Sequence, residues 1–239
     1  MNRSDFIKLF YSLPLIYNFN KREFFFDKNY LIGKGTPDLV GKNYKVLPKV
    51  NIAFLKMKNE ALKSGVKLEI VSGYRSFDRQ RKIWNRKFEL NLEKGLTSLD
   101  NVREIMKYST IPGTSRHHWG TDIDIIDSNE KVNGDVLLTK LYLNNGPFSK
   151  MYEWLTNNSK RFGFHEVYTN NINRKGFLFE PWHFSYAPLS KKYIKEFITI
   201  DLYKIIHDEK NIFGKDILNK KFLKKYISDY VLGISDELL

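Results

Sequence analysis

The stretch that decides the fold is SRHHWGTDIDII, residues 115–126. Its second half alternates acidic and β-branched residues and then becomes apolar, which predicts a strand over 122–126. Residues two apart share one face of a strand, so Asp122 and Asp124 should point the same way. The isoleucines between and after them should pack inward. The sequence therefore predicts a core strand that carries two carboxylates on one face.

This stretch and a second segment, 180–183, hold the parts of a metal-dependent hydrolytic site. A catalytic zinc ion usually has three protein ligands and leaves its fourth position to water. His117, Asp124 and His183 could be these ligands, with Glu180 as a separate base that takes a proton from water. Three of the chain's 5 histidines fall within the two segments, which favours a site over chance.

Local geometry sets two conditions on such a site. Gly120 allows the chain to turn, so the loop before it can carry His117 back over the strand. Glu180 and His183 lie three residues apart, which on a regular strand would put them on opposite faces. The chain must therefore bend at Pro181 and the tryptophan after it if both side chains are to face one ion.

A second strand is predicted upstream, over 67–72, where apolar and polar residues alternate. Gly73 ends this strand, and a helix over 77–92 follows with Ser76 as its N-cap. Arg75 lies in the turn between strand and helix. Its guanidinium offers paired donors that suit a carboxylate or a developing oxyanion.

Three motifs of the chain resemble those of the zinc D-Ala-D-Ala carboxypeptidase family of the VanY type. This family is related to the D-alanyl-D-alanine dipeptidases and to the hedgehog signalling domain. Residues 72–76 match the family pattern SGYRS. The pattern SxHxxGxAxD is matched by Ser115, His117, Gly120 and Asp124, and the pattern ExxH by Glu180 and His183. The three motifs follow one another in the family's order. The resemblance covers roughly residues 45–190, and its one departure is Asp122, where the pattern has alanine.

The resemblance implies a role for each matched residue. His117, Asp124 and His183 would bind Zn²⁺, and Glu180 would act as the general base. Arg75 would stabilise the bound substrate or the tetrahedral intermediate.

Other residues near the motifs are weaker candidates. Tyr74, Gln80 and Ser115 could hold the terminal carboxylate and the amide of the substrate. Asp122 could raise the pKa of a neighbouring group, or it could bind His118 or the loop backbone. We favour an orienting role behind the metal ligands for Asp122 and His118, since ligating groups usually have such partners.

Composition limits the other classes of function. The chain has 239 residues, 42% hydrophobic and 15% aromatic, which is ample for a folded core. It has no cysteine, which excludes disulfides and thiol nucleophiles, and it contains neither a GxSxG elbow nor a phosphate-binding loop pattern. The net charge is +13, but the lysines are scattered, so we interpret the charge as compositional bias and expect no nucleic-acid partner.

The chain is predicted to have an N-terminal extension (1–44), a catalytic domain (45–190) and a helical C-terminal extension packed on the core (191–239). Helices and strands do not alternate regularly, which indicates an α+β fold with a small, mainly antiparallel sheet flanked by helices. The resemblance implies the same hedgehog- and D-Ala-D-Ala-peptidase-like fold. Helices are predicted over 51–64, 77–92, 148–162, 189–208 and 214–229, and strands over 67–72, 122–126 and 183–186.

Two of the predicted helices have identifiable apolar residues. The first helix includes Ile52, Leu55 and Leu62 and should end at Gly65. The tail has an apolar stripe that we interpret as core packing rather than a membrane-binding face: Tyr193, Ile194, Phe197, Ile198 and Leu202.

The resemblance implies an enzyme that removes the terminal D-alanine from peptidoglycan stem peptides. The same site could instead serve an L,D-carboxypeptidase or a peptidoglycan endopeptidase. A catalytically silent wall-binding module is a third alternative, against which the retention of Glu180 with all three ligands argues. No oligomeric state is predicted.

A peptidoglycan substrate would place the protein in the cell envelope. Residues 1–10 faintly resemble a twin-arginine export signal, and the apolar stretch over 9–19 is too short to span a bilayer. The alternative for this segment is an N-terminal helix packed on the domain. Export stays the working hypothesis.

Overall fold

The computed structural model describes residues 27–239. The predictions for the export signal over 1–10 and for the apolar stretch over 9–19 lie outside these residues, as does most of the predicted N-terminal extension. None of the helices in the described part of the chain is both long enough and apolar enough to span a bilayer.

The fold combines a small antiparallel sheet with surrounding helices. The helices are α1 (Lys28–Leu31), α2 (Pro48–Lys63), α3 (Phe77–Glu93), α4 (Ser98–Ile105), α5 (Ser149–Asn158), α6 (Ala187–Phe197), α7 (Leu202–Asp208) and α8 (Lys220–Tyr226). The strands are β1 (Leu68–Ser72), β2 (Asp122–Asp127), β3 (Phe164–Glu166) and β4 (His183–Tyr186). Short 3₁₀ turns include Arg116–Trp119 and Ser159–Phe162, and α8 continues into a π-helical turn, Ile227–Val231.

The four strands lie in the order β1-β2-β4-β3, and every neighbouring pair is antiparallel. The register puts Asp124 of β2 directly opposite His183 of β4, and Asp122 opposite Ser185. Cross-strand partners lie about 4.5–5.5 Å apart at their Cβ atoms, so this register alone places a carboxylate beside an imidazole. The predicted α+β class with a mainly antiparallel sheet is confirmed.

Two apolar clusters form the core. One lies between the helices and includes Trp84, Trp119 and Tyr226. The other packs α2 and α5 against the sheet and includes Phe54 and Ile123. The chain passes from the first cluster to the second between Trp119 and Ile123. Two of the predicted metal ligands, His117 and Asp124, therefore lie next to buried apolar residues of the two clusters.

Local sequence signals account for several helix boundaries. The Ser76 hydroxyl accepts a hydrogen bond from the Arg79 N–H and caps α3, as predicted. The first long helix, α2, begins at Pro48, where a proline costs no hydrogen bond, and ends just before Gly65, which has φ +72°.

The buried face of α2 differs from the prediction. Its buried side chains are Val50, Phe54, Met57 and Ala61. The three apolar residues singled out from the sequence are exposed instead: Ile52 by 57%, Leu55 by 45% and Leu62 by 58%. The helix has apolar residues on both sides, so periodicity did not identify the face that packs on the sheet.

The C-terminal helices are shorter than predicted. The helix expected over 189–208 is two helices, α6 and α7, because the Asp201 side chain accepts a hydrogen bond from the Lys204 N–H and caps a new helix. Of the predicted stripe, Ile194, Phe197 and Leu202 are buried in the first cluster, whereas Ile198 is 46% exposed. The helix expected over 214–229 begins only at Lys220. The domain boundaries remain predictions.

Helix α1, helix α4 and strand β3 were not predicted. Helix α4 begins after Thr97, whose side chain accepts from the Asp100 N–H, and this capping pair was a sequence signal for a helix start. The third strand, Phe164–Glu166, has only three residues and carries too little periodicity to be recognised.

Candidate metal centre and active site

The structure brings the three predicted ligands together. One ligand atom from each of His117, Asp124 and His183 lies within 4.8 Å of the other two, and all three residues are buried. His117 belongs to the 3₁₀ turn that ends at Gly120, whose φ of +65° is left-handed and therefore suits glycine. The predicted turn at Gly120 is present.

The ring of His117 is held by a backbone carbonyl. Its Nδ1 lies 2.8 Å from the oxygen of Gly73, which follows β1, so Nδ1 donates and Nε2 is left with a lone pair. That Nε2 lies 3.4 Å from Oδ2 of Asp124. The hydrogen bond therefore fixes the tautomer in which Nε2 can bind a metal.

His183 faces the same point through its other nitrogen. Its Nε2 lies 3.1 Å from Oδ2 of Asp122, whereas its Nδ1 lies 4.0 Å from Oδ1 of Asp124 and 2.9 Å from Oε2 of Glu180. The Asp122 contact fixes Nε2 as the donor, which leaves Nδ1 as the nitrogen that can face an ion.

The chain bends between Glu180 and His183, as their spacing required. The His183 N–H donates to the Glu180 carbonyl over 3.1 Å, which closes a turn around Pro181. The turn brings both side chains to one side, where they hydrogen-bond to each other. The Glu180 carboxylate thus lies beside the predicted metal ligands.

The donor set fits a divalent cation. Oδ1 of Asp124 is buried and has no hydrogen-bond partner among the described residues. Burial disfavours a proton on His183, yet its hydrogen bonds to Asp122 and Glu180 and the nearby Asp124 charge raise its pKa to about 10. Surroundings that attract a proton so strongly also attract a metal cation, and two imidazoles with a carboxylate suit zinc.

Asp122 lies behind His183. Burial opposes ionisation of Asp122, but the Arg116 charge and the His183 hydrogen bond outweigh it and hold the pKa of the carboxyl below its usual range. Arg116 Nε donates to Oδ2 over 2.8 Å, and the hydroxyls of Thr121 and Ser185 donate to Oδ1 over 2.8 and 2.6 Å. Asp122 therefore contacts His183 and Arg116, and not His118 as one of our alternatives had it.

His118 instead supports Arg75. Its Nδ1 lies 2.6 Å from the Arg75 carbonyl oxygen, and burial lowers its pKa to about 3, so the ring is neutral and donates. The Arg75 N–H donates to the His117 carbonyl over 3.0 Å. The turn that carries Arg75 is therefore hydrogen-bonded to the segment that carries the predicted ligand His117.

A cavity of about 370 Å³ opens over the predicted ligands. It has cationic, anionic and aromatic walls, formed by Arg75, Lys87, Tyr108, Thr110, Ser115, Arg116, His117, Asp124, Asp135, Leu137, Leu138, Thr139, Tyr168, Phe177, Glu180, Trp182 and His183. A pocket that joins a donor set for a metal to a separate carboxylate and a guanidinium can hold a small peptide for hydrolysis.

A family model for the VanY D-alanyl-D-alanine carboxypeptidases matches residues 43–189. This match covers more than half of the chain and contains all three motifs. The chain belongs to the VanY family. It is therefore a metallopeptidase of the D-alanyl-D-alanine carboxypeptidase family, and the predicted resemblance is confirmed.

Individual relatives are similar to about half of the chain. An uncharacterised protein of Haemophilus influenzae is 34% identical over 124 residues, which are 51% of this chain and 93% of that protein. A D-alanyl-D-alanine carboxypeptidase of Enterococcus faecalis is 32% identical over 124 residues, or 52% of this chain but only 41% of the relative. The chain thus matches less than half of that relative.

Solved VanY-type structures show the same fold. VanYB in complex with D-Alanine-D-Alanine has a TM-score of 0.52 and 24% identity, and the match covers 74% of this chain and 92% of VanYB. A VanY D,D-pentapeptidase in complex with Zn(II) has a TM-score of 0.52 and 23% identity, with 77% and 90% covered.

Two of the residues predicted to bind substrate lie elsewhere in this VanY-family chain. Gln80 is fully buried and outside the cavity wall; its Oε1 accepts from Arg75 Nη1 over 2.9 Å, and its Nε2 donates to the Thr110 carbonyl over 2.8 Å. The Tyr74 hydroxyl faces the Gly33 carbonyl at 3.5 Å and is not part of the wall. Ser115 lines the cavity, and its contact with the substrate stays a prediction.

Three of the wall residues that were not predicted contact the site through charge or packing: Arg116, Tyr168 and Lys87. Arg116 pairs with Asp122, and the charge complementarity of the two residues within one motif was an available signal. Tyr168 packs edge-on against the His183 ring with centroids 5.1 Å apart, and Lys87 extends from α3. No local pattern marks Tyr168 or Lys87, because both reach the cavity only through tertiary packing.

Proposed function

We propose that the chain is a zinc-dependent D,D-carboxypeptidase that removes the terminal D-alanine from peptidoglycan stem peptides. The observation that carries this proposal is the cluster of His117, Asp124 and His183 within 4.8 Å, with Glu180 beside it in a peptide-sized cavity. Membership of the VanY family supports the class of substrate, and the Zn(II) in a VanY structure of the same fold supports the metal.

His117 would bind the metal through Nε2, His183 through Nδ1, and Asp124 through its carboxylate. A zinc ion held by these residues would supply Lewis acidity, which lowers the pKa of water toward neutrality and polarises a carbonyl group. Gly73 and Asp122 hold the two imidazoles in the tautomers that this binding needs.

Glu180 would act as the general base. Its carboxylate accepts a proton from the attacking water and then passes it to the amine of the departing D-alanine. In this structure Oε2 lies 2.9 Å from His183 Nδ1, which shows that the carboxylate reaches the space beside the ligands. At 8% exposure, Glu180 is largely shielded from bulk water, which strengthens its interactions with charges in the cavity.

Arg75 would stabilise the oxyanion that forms as water adds to the scissile carbonyl. Its guanidinium is held in place by Gln80 and by the Ser72 hydroxyl, which accepts from Nη2 over 3.4 Å. A fixed guanidinium stabilises developing charge without a reorganisation step. Ser115 is placed on the wall where it could contact the peptide backbone of the substrate.

The proposed substrate puts the enzyme's action outside the cytoplasmic membrane, in the cell envelope. An L,D-carboxypeptidase or an endopeptidase would use the same metal, base and guanidinium on another bond. The substrate panel of the test therefore includes a pentapeptide, a tetrapeptide and cross-linked wall.

The test measures D-alanine release by purified protein, with and without chelator and added zinc. The pentapeptide should be cleaved only with metal, and Glu180→Gln should lower the rate about 10²- to 10⁴-fold while zinc stays bound. Glu166→Gln is the matched control, since Glu166 is a half-buried glutamate outside the cavity. If only the tetrapeptide or only the cross-links are cleaved, that molecule is the substrate and the pentapeptide is not. Full activity in Glu180→Gln would overturn the assignment of Glu180 as the base.

A further inference from the structure

Lys87 is a cavity residue without an assigned role. It lies on α3 two turns after Gln80, so both side chains leave the helix on the same face. Its Nζ donates to the Ser109 hydroxyl over 2.6 Å, and its side chain lines the cavity together with Arg75 and Thr110. Lys87 therefore forms part of the wall that also holds the guanidinium.

The two cations of this wall lack carboxylate partners. Among residues 27–239, no carboxylate forms an ion pair with Arg75 or Lys87. Burial lowers the pKa of the Lys87 ammonium, and the charge of Arg75 lowers it further. Two partly desolvated cations on one wall are costly unless an anion binds between or beside them, so the wall favours an anionic ligand.

The wall also has unused hydrogen-bonding capacity. An ammonium group has three N–H donors, and Lys87 uses one of them on Ser109. The Thr110 hydroxyl oxygen is buried without a hydrogen-bond partner in the described part of the chain. The Thr110 carbonyl is fixed by Gln80, which also holds Arg75. The free donors of Lys87 and Thr110 therefore belong to one preformed wall.

Charge balance suggests what the anion is. A divalent metal, Arg75 and Lys87 together bring four positive charges to the cavity, and Asp122 is paired with Arg116. Asp124, Glu180 and Asp135 bring three negative charges, so one positive charge remains. The oxyanion adds no further charge, because the proton that Glu180 takes from water moves the negative charge of Glu180 to it. A peptide that is cleaved at its last bond brings one more negative charge, its free C-terminal carboxylate, whereas an internal bond of a longer chain brings none.

We propose that Lys87, with the Thr110 hydroxyl, binds the C-terminal carboxylate of the substrate, and that this contact restricts the enzyme to terminal residues. The proposal rests on the proposed function and deepens it, since it selects a carboxypeptidase over an endopeptidase. Arg75 then stabilises the oxyanion, and Lys87 binds the C-terminal carboxylate, whose charge is present throughout the reaction.

The test compares two peptides that differ only at the end: an N-acylated D-Ala-D-Ala with a free carboxylate and the same peptide with a carboxamide. Affinities are measured by calorimetry on zinc-loaded Glu180→Gln protein, which separates binding from hydrolysis. The free acid should bind about 10- to 100-fold more tightly than the amide, as expected for a hydrogen bond between charged groups.

Lys87→Met in this background should abolish the preference by weakening the acid alone, and Lys87→Arg should restore part of it. Lys82→Met is the matched control, because Lys82 is exposed on the same helix. Melting temperatures show whether each variant is folded. Equal affinity for both peptides, or a preference that survives Lys87→Met, would overturn the proposal.

Hydrolysis by the unmodified protein separates the two proposals. Equal rates of hydrolysis of the free acid and the amide would support the proposed reaction but contradict the proposed role of Lys87. A Lys87-dependent binding preference without any hydrolysis would keep the carboxylate site and remove the proposed reaction. No binding of either peptide would overturn both.

Discussion

Asp122→Ala tests how this chain holds its metal ligand. The substitution introduces the alanine of the family pattern, but here it removes the partner of His183 Nε2 and leaves Arg116 buried without its carboxylate. Arg116 is 4% exposed and Asp122 fully buried. Breaking a buried ion pair by removing one partner costs about 3–5 kcal/mol, so the free energy of unfolding should fall by about that amount. Zinc affinity should fall about 10- to 100-fold, because the orienting partner of a ligand is lost.

The double variant Arg116→Met, Asp122→Ala separates the two effects. With both charges removed, no unpaired charge stays buried, so the double variant should recover at least about 2 kcal/mol relative to Asp122→Ala. Zinc affinity should not recover, since His183 still lacks its partner. Urea unfolding measures the first quantity, and competition with a chromogenic chelator measures the second.

Three results would refute this reasoning. Additive losses in the double variant would show that Arg116 and Asp122 are not coupled. Unchanged zinc affinity in Asp122→Ala would show that the contact with His183 does not orient the ligand. Recovery of zinc affinity in the double variant would assign the effect to the unpaired charge of Arg116 instead.

Two further substitutions test other parts of the account. Burial raises the pKa of Glu166 to about 7 from 4.5, despite the hydrogen bond from Tyr152. The folded state keeps this proton to a higher pH than the unfolded state does, so the free energy of unfolding should fall by at most about 3 kcal/mol as the pH rises from about 4.5 to 7. Glu166→Gln should remove this fall, which urea unfolding at pH 5 and pH 8 measures. An unchanged pH profile in the variant would contradict the prediction. Tyr226→Phe removes contacts from the Tyr226 hydroxyl to the Ile111 N–H at 3.3 Å and to the Thr114 hydroxyl at 2.8 Å, so stability should fall about 1–3 kcal/mol. A neutral result in the same unfolding assay would show that these contacts do not fasten the C-terminal helix to the segment before Ser115.

Elements with strong local signals were predictable. The alternation over 122–126, the N-cap at Ser76 and the turn at Gly120 each depend on neighbours within a few residues, and the structure has all three. The break before Asp201 and the start of α4 also have local signals, but these are only a capping aspartate in the first case and the Thr97–Asp100 pair in the second.

The residues of the candidate site also include some with a local sequence signal and some without one. His117, Asp124 and His183 lie in short motifs, so residue type and spacing were sufficient to identify them. The pairing of Arg116 with Asp122 had a signal in the opposite charges of one motif, whereas the approach of Lys87 to Arg75 depends on tertiary packing. Gln80 shows the limit most clearly: it was predicted to bind the substrate, but tertiary packing buries it beneath the wall, where it hydrogen-bonds to Arg75.

The central claim is that three side chains of this chain hold one zinc ion beside Glu180. It is tested most directly by an anomalous difference map at the zinc absorption edge, from crystals of zinc-loaded protein. The account predicts a single strong peak bound by His117 Nε2, the Asp124 carboxylate and His183 Nδ1, with the Glu180 carboxylate close to it but not a ligand. A peak at another place, or binding through His183 Nε2 with Asp122 displaced, would contradict it.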